Sequence, residues 1–334
     1  MNQRACSLLV LLTCVAGLHC GAAEDGDVSA DGEEEIGSQE EALTAGLTVN
    51  FKDWLSANGY ASYDFPRADL EGGSYGGKTG PADTVVNQPV IFIHGNSDKA
   101  LGETFGQTGW TDSIEYFLAN GYKSSELYAT TWGPANAFSS PQQYHSKAHV
   151  MKVRKFIEAV LAYTGATKVD IIGHSMGVTL ARKAVKGGSA NDSLAGGAYS
   201  VGASLTAKVD TFVGIAGANR GLTSCYVAGP TTPTCGATNG LYPGFWNGFG
   251  VSGRSAFLND LLATSSYEGA FRYTIYSTVD EVIGGGGLVY WQYTSRIPGQ
   301  TGEVVFNAAP YGHFGSKDLT ASYQLNMVKF HQTN

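Results

Sequence analysis

The pentapeptide Gly173-His174-Ser175-Met176-Gly177 constrains this chain more than any other feature, because of what flanks it. An apolar run, Val169-Asp170-Ile171-Ile172, leads directly into it, and a helical pattern over residues 178–186 leads directly out. A serine held between a strand and a helix without a loop must sit on a sharp, strained turn, where the flanking positions have to be small. Gly173 and Gly177 meet that need. Such a turn lifts the serine hydroxyl above the end of a sheet and aims the following amide at the reacting atom. Ser175 is therefore the candidate nucleophile, and the amide of Met176 a candidate oxyanion donor.

The rest of the chain alternates in the same way. Apolar runs at 89–93, 127–132, 209–216 and 271–277 read as strands, and 110–120 and 145–163 carry apolar residues at helical spacing. Alternation of this kind predicts a mostly parallel sheet with helices on both faces, in the α/β class. Polar groups that do chemistry are expected at the carboxyl ends of its strands. A serine hydroxyl is a weak nucleophile and needs a base. When the turn belongs to an α/β-hydrolase fold, the chain order is nucleophile, acid, histidine. Only His313 and His331 follow Ser175. His331 lies three residues from the end, as a terminal helical residue would, so His313, in Tyr311-Gly312-His313-Phe314-Gly315, is the candidate base. Asp280 follows a predicted strand and precedes that histidine, which makes it the candidate acid, ahead of Glu281, Asp260 and Asp210. The turn His94-Gly95-Asn96 after the first buried strand is placed to supply a second oxyanion donor, the amide of Asn96. His94 itself precedes the nucleophile and is expected to brace that turn.

Composition limits the partners. Of 334 residues 43% are hydrophobic and 15% charged, and the net charge of −8 gives no basic surface for a nucleic acid. Much of the acid lies between Glu24 and Glu41, so the remainder is close to neutral, as suits an apolar, uncharged substrate. Residues 1–20 read as a signal peptide, with Arg4 ahead of a short apolar run, and 21–45 as an acidic disordered spacer or propeptide. Residues 46–334 then form one catalytic domain. Secretion is expected; the alternative is a lipid anchor at Cys20, against which His19 argues as the residue ahead of the cut. Of five cysteines, only Cys225 and Cys235 lie beyond the leader, and an even pair in an exported chain reads as a disulfide. Without a histidine near that pair, no metal site is expected. Phe245, Trp246 and Phe249, in a glycine-rich stretch, and Tyr311 beside His313 are candidate substrate contacts.

Taken together, the strand ending in His94-Gly95-Asn96, the serine pentapeptide, Ser277-Thr278-Val279-Asp280 and the His313 loop resemble the class 2 lipases, a family of secreted α/β-hydrolases. The likeness runs from about Pro89 to His313. Tyr144-His145-Ser146, Arg220-Gly221-Leu222, Ser224-Cys225-Tyr226 and Pro233-Thr234-Cys235-Gly236 add a closer resemblance to single-domain extracellular polyhydroxyalkanoate depolymerases. Two departures stand out. Gly173 replaces an alanine of those depolymerases, and the segment between Phe245 and His313 is shorter, where they carry much of their substrate surface. The resemblance implies the same triad, Ser175, Asp280 and His313, and ester hydrolysis without a cofactor. The expected partner is an apolar ester, lipid or aliphatic polyester, with no stable protein partner implied. A polyester depolymerase and an acyltransferase are the alternatives.

Overall fold

A computed structural model describes residues 43–334. The leader, Cys20 and the spacer up to residue 42 lie outside the described residues.

Chain segments that are apolar on both faces become the central strands. Val90–Ile93 (β3) and Val169–His174 (β5) are buried throughout, and each sends alternate side chains to opposite sides. Ile91 and Ile171 enter one core cluster, Phe92 and Ile172 the other. The other strands of this sheet are Gly46–Leu47 (β1), Ser74–Gly76 (β2), Leu127–Thr130 (β4), Val209–Ile215 (β6), Phe271–Ser277 (β7) and Gly302–Phe306 (β8). They run in the order β1-β2-β4-β3-β5-β6-β7-β8. The pairings from β4 to β8 are parallel, and β2 meets β4 antiparallel. This is the α/β-hydrolase fold, as the alternation of elements predicted.

Helices cover both faces. Val49–Ala57 (α1), Lys147–Thr164 (α3) and Met176–Lys186 (α4) pack in one cluster. Thr111–Ala119 (α2) and Ala321–Phe330 (α8) pack in the other. Three shorter helices are Thr223–Ala228 (α5), Ala256–Leu262 (α6) and Gly315–Asp318 (α7). The helix predicted from residue 145 begins two residues later, because the Ser146 hydroxyl accepts from the His149 amide and caps it. His145 stays outside, with its ring stacked on Phe257 and bonded to Thr179 and the Asn239 carbonyl.

Register places the working ends of the strands level. Ile93 lies opposite Gly173, and His174 opposite Ile215, so β3, β5 and β6 end together. Ser277 of β7 pairs with Phe306 of β8, and the segments carrying Asp280 and His313 leave from there. Strands β1, β2 and β8 have no counterpart in the sequence reading. β1 and β8 are edge strands and β2 a buried strand of three residues, none with a long apolar run to mark it.

Candidate active site

The serine turn is as tight as its sequence requires. Ser175 has φ 52 and ψ −127, a conformation that non-glycine residues rarely adopt. It is held by its own amide, which donates to the Ile215 carbonyl at 2.9 Å, and by the Val178 amide, which donates to its carbonyl at 3.1 Å. A side chain at Gly177 would place a Cβ 2.2 Å from the His94 carbonyl oxygen, so only glycine fits there. At Gly173 the nearest atom, Val178 Cα, would lie 3.1 Å away. That spacing needs a shift of only a few tenths of an ångström. Met176 opens α4, and the first amides of a helix have no acceptor within it.

Asp280 and His313 come together from separate loops. Nδ1 of His313 donates to Oδ2 of Asp280 at 2.7 Å, with both side chains buried. The other carboxylate oxygen, Oδ1, accepts from the amides of Val282 and Ile283 at 2.9 and 2.8 Å, which fixes the carboxylate plane. Glu281 also faces this loop, but it takes the backbone: its Oε2 accepts from the His313 amide at 2.9 Å. A Cβ at Gly312 would stand 2.3 Å from that oxygen, which explains the glycine beside the histidine. Sequence reasoning treated Glu281 only as a rival for the ring and missed this contact. Nothing local in the sequence reveals it, since it depends on the approach of two loops.

The other acidic and histidine candidates lie elsewhere. Asp260 sits on α6 and pairs with Lys183 and Lys186. Asp210 opens β6 and pairs with Lys168 and His331. His331 stacks on Phe271 with ring centroids 3.6 Å apart, a half-buried residue just past the end of α8.

His94 braces the neighbouring turn. Its Nδ1 donates to the Gly95 carbonyl at 2.7 Å, and its Nε2 accepts from the Trp132 amide at 3.0 Å. The ring lies flat on Trp132, whose indole N–H returns to the His94 carbonyl. Burial pushes this imidazole down to about 3, so it stays neutral and has no free nitrogen for catalysis. Next to it, the Asn96 side chain donates to the Ser140 carbonyl at 3.0 Å, tying the turn to the segment above it.

Gly95, Asn96, Ser175 and His313 line one cavity of about 320 Å³. Its opposite wall is built from Ser140, Pro141, Leu222, Thr232 and Thr234, together with Cys225 and Cys235. These two cysteines form a disulfide, so the bridge itself is part of the wall. The Thr234 hydroxyl reaches the Ser140 and Gln143 carbonyls, which anchors that loop independently of the bridge. Phe245, Trp246, Phe249 and Tyr311 are not in this lining. Tyr311 stacks on Phe306 at 3.9 Å. Trp246 meets Trp291 edge-on at 5.0 Å in an exposed patch, and Phe249 is 98% exposed. Among the described residues no group of three metal-ligating side chains occurs, and no helix is long and apolar enough to cross a membrane.

A family model described as Lipase (class 2) matches residues 87–326. Among solved structures, the chain is similar to Aspergillus fumigatus lipase B, with 14% identity and a TM-score of 0.49. That match covers 81% of this chain but only 59% of the other. It is also similar to a Bacillus licheniformis lipase in its mature form, at 13% identity and a TM-score of 0.45, covering 76% and 95% of the two chains. The monoacylglycerol lipase of Paleococcus ferrophilus matches at 14% identity and 0.42, covering 74% and 97%.

Proposed function

The chain belongs to the class 2 lipase family, and from that premise we propose that it hydrolyses apolar carboxylic esters through an acyl-enzyme on Ser175. His313 takes the serine proton as the hydroxyl attacks the ester carbonyl, and Asp280 holds the imidazole in the required tautomer and stabilises the imidazolium. The amides of Asn96 and Met176 receive the oxyanion of the tetrahedral intermediate. His313 then passes its proton to the leaving alcohol and activates a water for deacylation. The single observation that carries this reading is the buried 2.7 Å bond from His313 Nδ1 to Asp280, because it leaves Nε2 as the nitrogen for proton exchange in the cavity that Ser175 lines. Both chemical steps use only groups of this chain and water.

Residues 46–334 act as the catalytic domain and residues 1–20 as an export signal, with 21–45 as an acidic spacer. The disulfide supports export over cytoplasmic residence, and an anchor at Cys20 is the alternative route. An aliphatic polyester is a second substrate class, favoured by the exposed patch of Trp246, Phe249 and Trp291, which a small soluble ester does not need. Hydrolysis of p-nitrophenyl butyrate, emulsified tributyrin and amorphous polyhydroxybutyrate tests the reading. Cleavage of the first is expected, and the other two assign the carrier of the bond. Failure on all three overturns ester hydrolysis. Ester transfer to an added alcohol in preference to water would reassign the protein as an acyltransferase.

A further inference from the structure

The ring just before the nucleophile has no part in the chemistry described so far, yet it is buried in the middle of the site. His174 is fully buried at the end of β5 and lines the cavity. Its Nε2 lies 3.1 Å from the backbone carbonyl oxygen of His313. A carbonyl only accepts, so Nε2 carries the hydrogen and Nδ1 is bare. Nδ1 has no hydrogen-bond partner among the described residues. It faces Gly95, where an added Cβ would stand 3.0 Å from it and 3.1 Å from the Ser175 Cβ. The ring thus fills the space between the turn that carries Asn96 and the loop that carries His313. Phe314 closes over it at 5.9 Å, and the His313 ring lies 4.7 Å away.

We propose that His174 is a positioning residue that sets the separation of the two catalytic loops, donating from Nε2 to the His313 peptide while its bare edge packs on Gly95. The proposal rests on the assignment of His313 as the base. A flat ring with one donor at its far end suits the place: an aliphatic chain would fill it without holding the peptide. Neutrality matters as well, because His313 must accept a proton in each half-reaction and a cation beside it would oppose that. Burial, with His313, Lys317 and His94 as its charged or chargeable neighbours, holds His174 far below the usual imidazole range.

His174→Leu and His174→Gln test this in full-length protein. Misplacing a base by a fraction of an ångström to 1 Å costs about 10- to 100-fold in rate. His174→Leu is therefore expected to lose that much in kcat on p-nitrophenyl butyrate, with KM within about twofold. His174→Gln, which keeps an N–H donor, is expected to recover most of the loss. Equal impairment of the two variants, or a loss confined to KM, would overturn the proposal. Should His174→Leu fail to fold, nitrogen NMR of the unsubstituted protein decides. A His174 ring that stays in the Nε2–H form from pH 5 to 8 supports the assignment; one that titrates, or carries its hydrogen on Nδ1, ends it. Absence of any esterase activity in the unsubstituted protein would instead fell the functional reading and leave the NMR result to judge the clamp.

Discussion

The floor and the rim of the cavity are built on opposite principles. On the floor, His94, His174 and His313 are all buried; His94 ties its own turn to Trp132, and His174 and Asp280 both bond the His313 loop. On the rim, Tyr226, Phe245, Trp246, Phe249 and Trp291 stand in water. Tyr290 and Trp291 form the tip of the hairpin that pairs Leu288–Val289 with Gln292–Tyr293, and both have positive φ, at 47 and 64. Two such residues make a turn that Asn-Gly ordinarily occupies, and bulky side chains there store strain. Burial gives the floor a fixed geometry. The rim keeps apolar area exposed at a conformational cost. Floor substitutions should therefore alter rate or pH response, and rim substitutions should alter neither.

The largest effect belongs to the nucleophile. Ser175→Ala is expected to lose about 10⁴- to 10⁶-fold in kcat on p-nitrophenyl butyrate while its circular dichroism stays unchanged, and Asp280→Asn about 10³- to 10⁴-fold. A Ser175→Ala protein with full activity would break the mechanism outright.

The second concerns acid stability, and its sign follows from burial. His94 and His145 are pushed down to about 3, and His174 lies well below its usual value. Unfolding frees all three to bind protons below pH 6.5, so stability is present above that pH and is lost as pH falls. Asp170 opposes this. Burial raises its carboxyl to about 7, so the folded state keeps a proton that the unfolded chain releases above pH 4. Between about pH 6 and 4 the histidines, with His149 lowered by burial in the same sense, outnumber the one carboxyl, so stability falls as pH falls. In Asp170→Asn that fall should steepen by about 1.4 kcal/mol per pH unit between about pH 4 and 7, with a gain in stability above pH 7. Urea titrations at three pH values measure both profiles, and stability that does not change with pH would show that these buried histidines are not held neutral in the folded protein.

At the boundary between floor and rim, the disulfide closes a loop with a sequence separation of 10 residues. Replacing both half-cystines, Cys225→Ala with Cys235→Ala, is expected to cost about 2.5–3 kcal/mol in the chain-entropy account, a fall of about 5–10 °C in Tm. The smallest expected effect lies furthest out. Phe249→Ser should leave Tm within about 1 °C and soluble-ester kinetics unchanged, and should weaken adsorption to a polyhydroxybutyrate film. If it changes kcat on the soluble ester, the rim is part of the cavity after all.

Much of the floor could be read directly. Periodicity located β3, β5, β6 and β7, because strands buried on both faces leave uninterrupted apolar runs. The serine motif carried its own geometry, since Gly177 and the elements on either side of Ser175 leave one kind of turn. Chain order then selected Asp280 and His313, and the coordinates bring them within hydrogen-bond distance. The rim was less legible. The aromatic stretch around Phe245 suggested contact with substrate, but no local pattern separates an exposed aromatic from one that packs on the sheet. Edge strands β1 and β8 lack the patterning that burial imposes, and β2, though buried, is too short to show it.

The amino-acid sequence by itself determined the class of fold and singled out the candidate nucleophile and its candidate partners, because each follows from covalent neighbours and chain order. Only the tertiary structure decided what surrounds them. Glu281 holds the His313 backbone while Asp280 holds the ring, and the half-cystines form a cavity wall. The aromatics at 245–249 stand outside that cavity, and His174 bridges two loops. Each of these contacts joins segments that periodicity and chain order do not relate. They exist because the packing of the sheet brings the loops to one end, where a few tenths of an ångström at a glycine decide which groups meet.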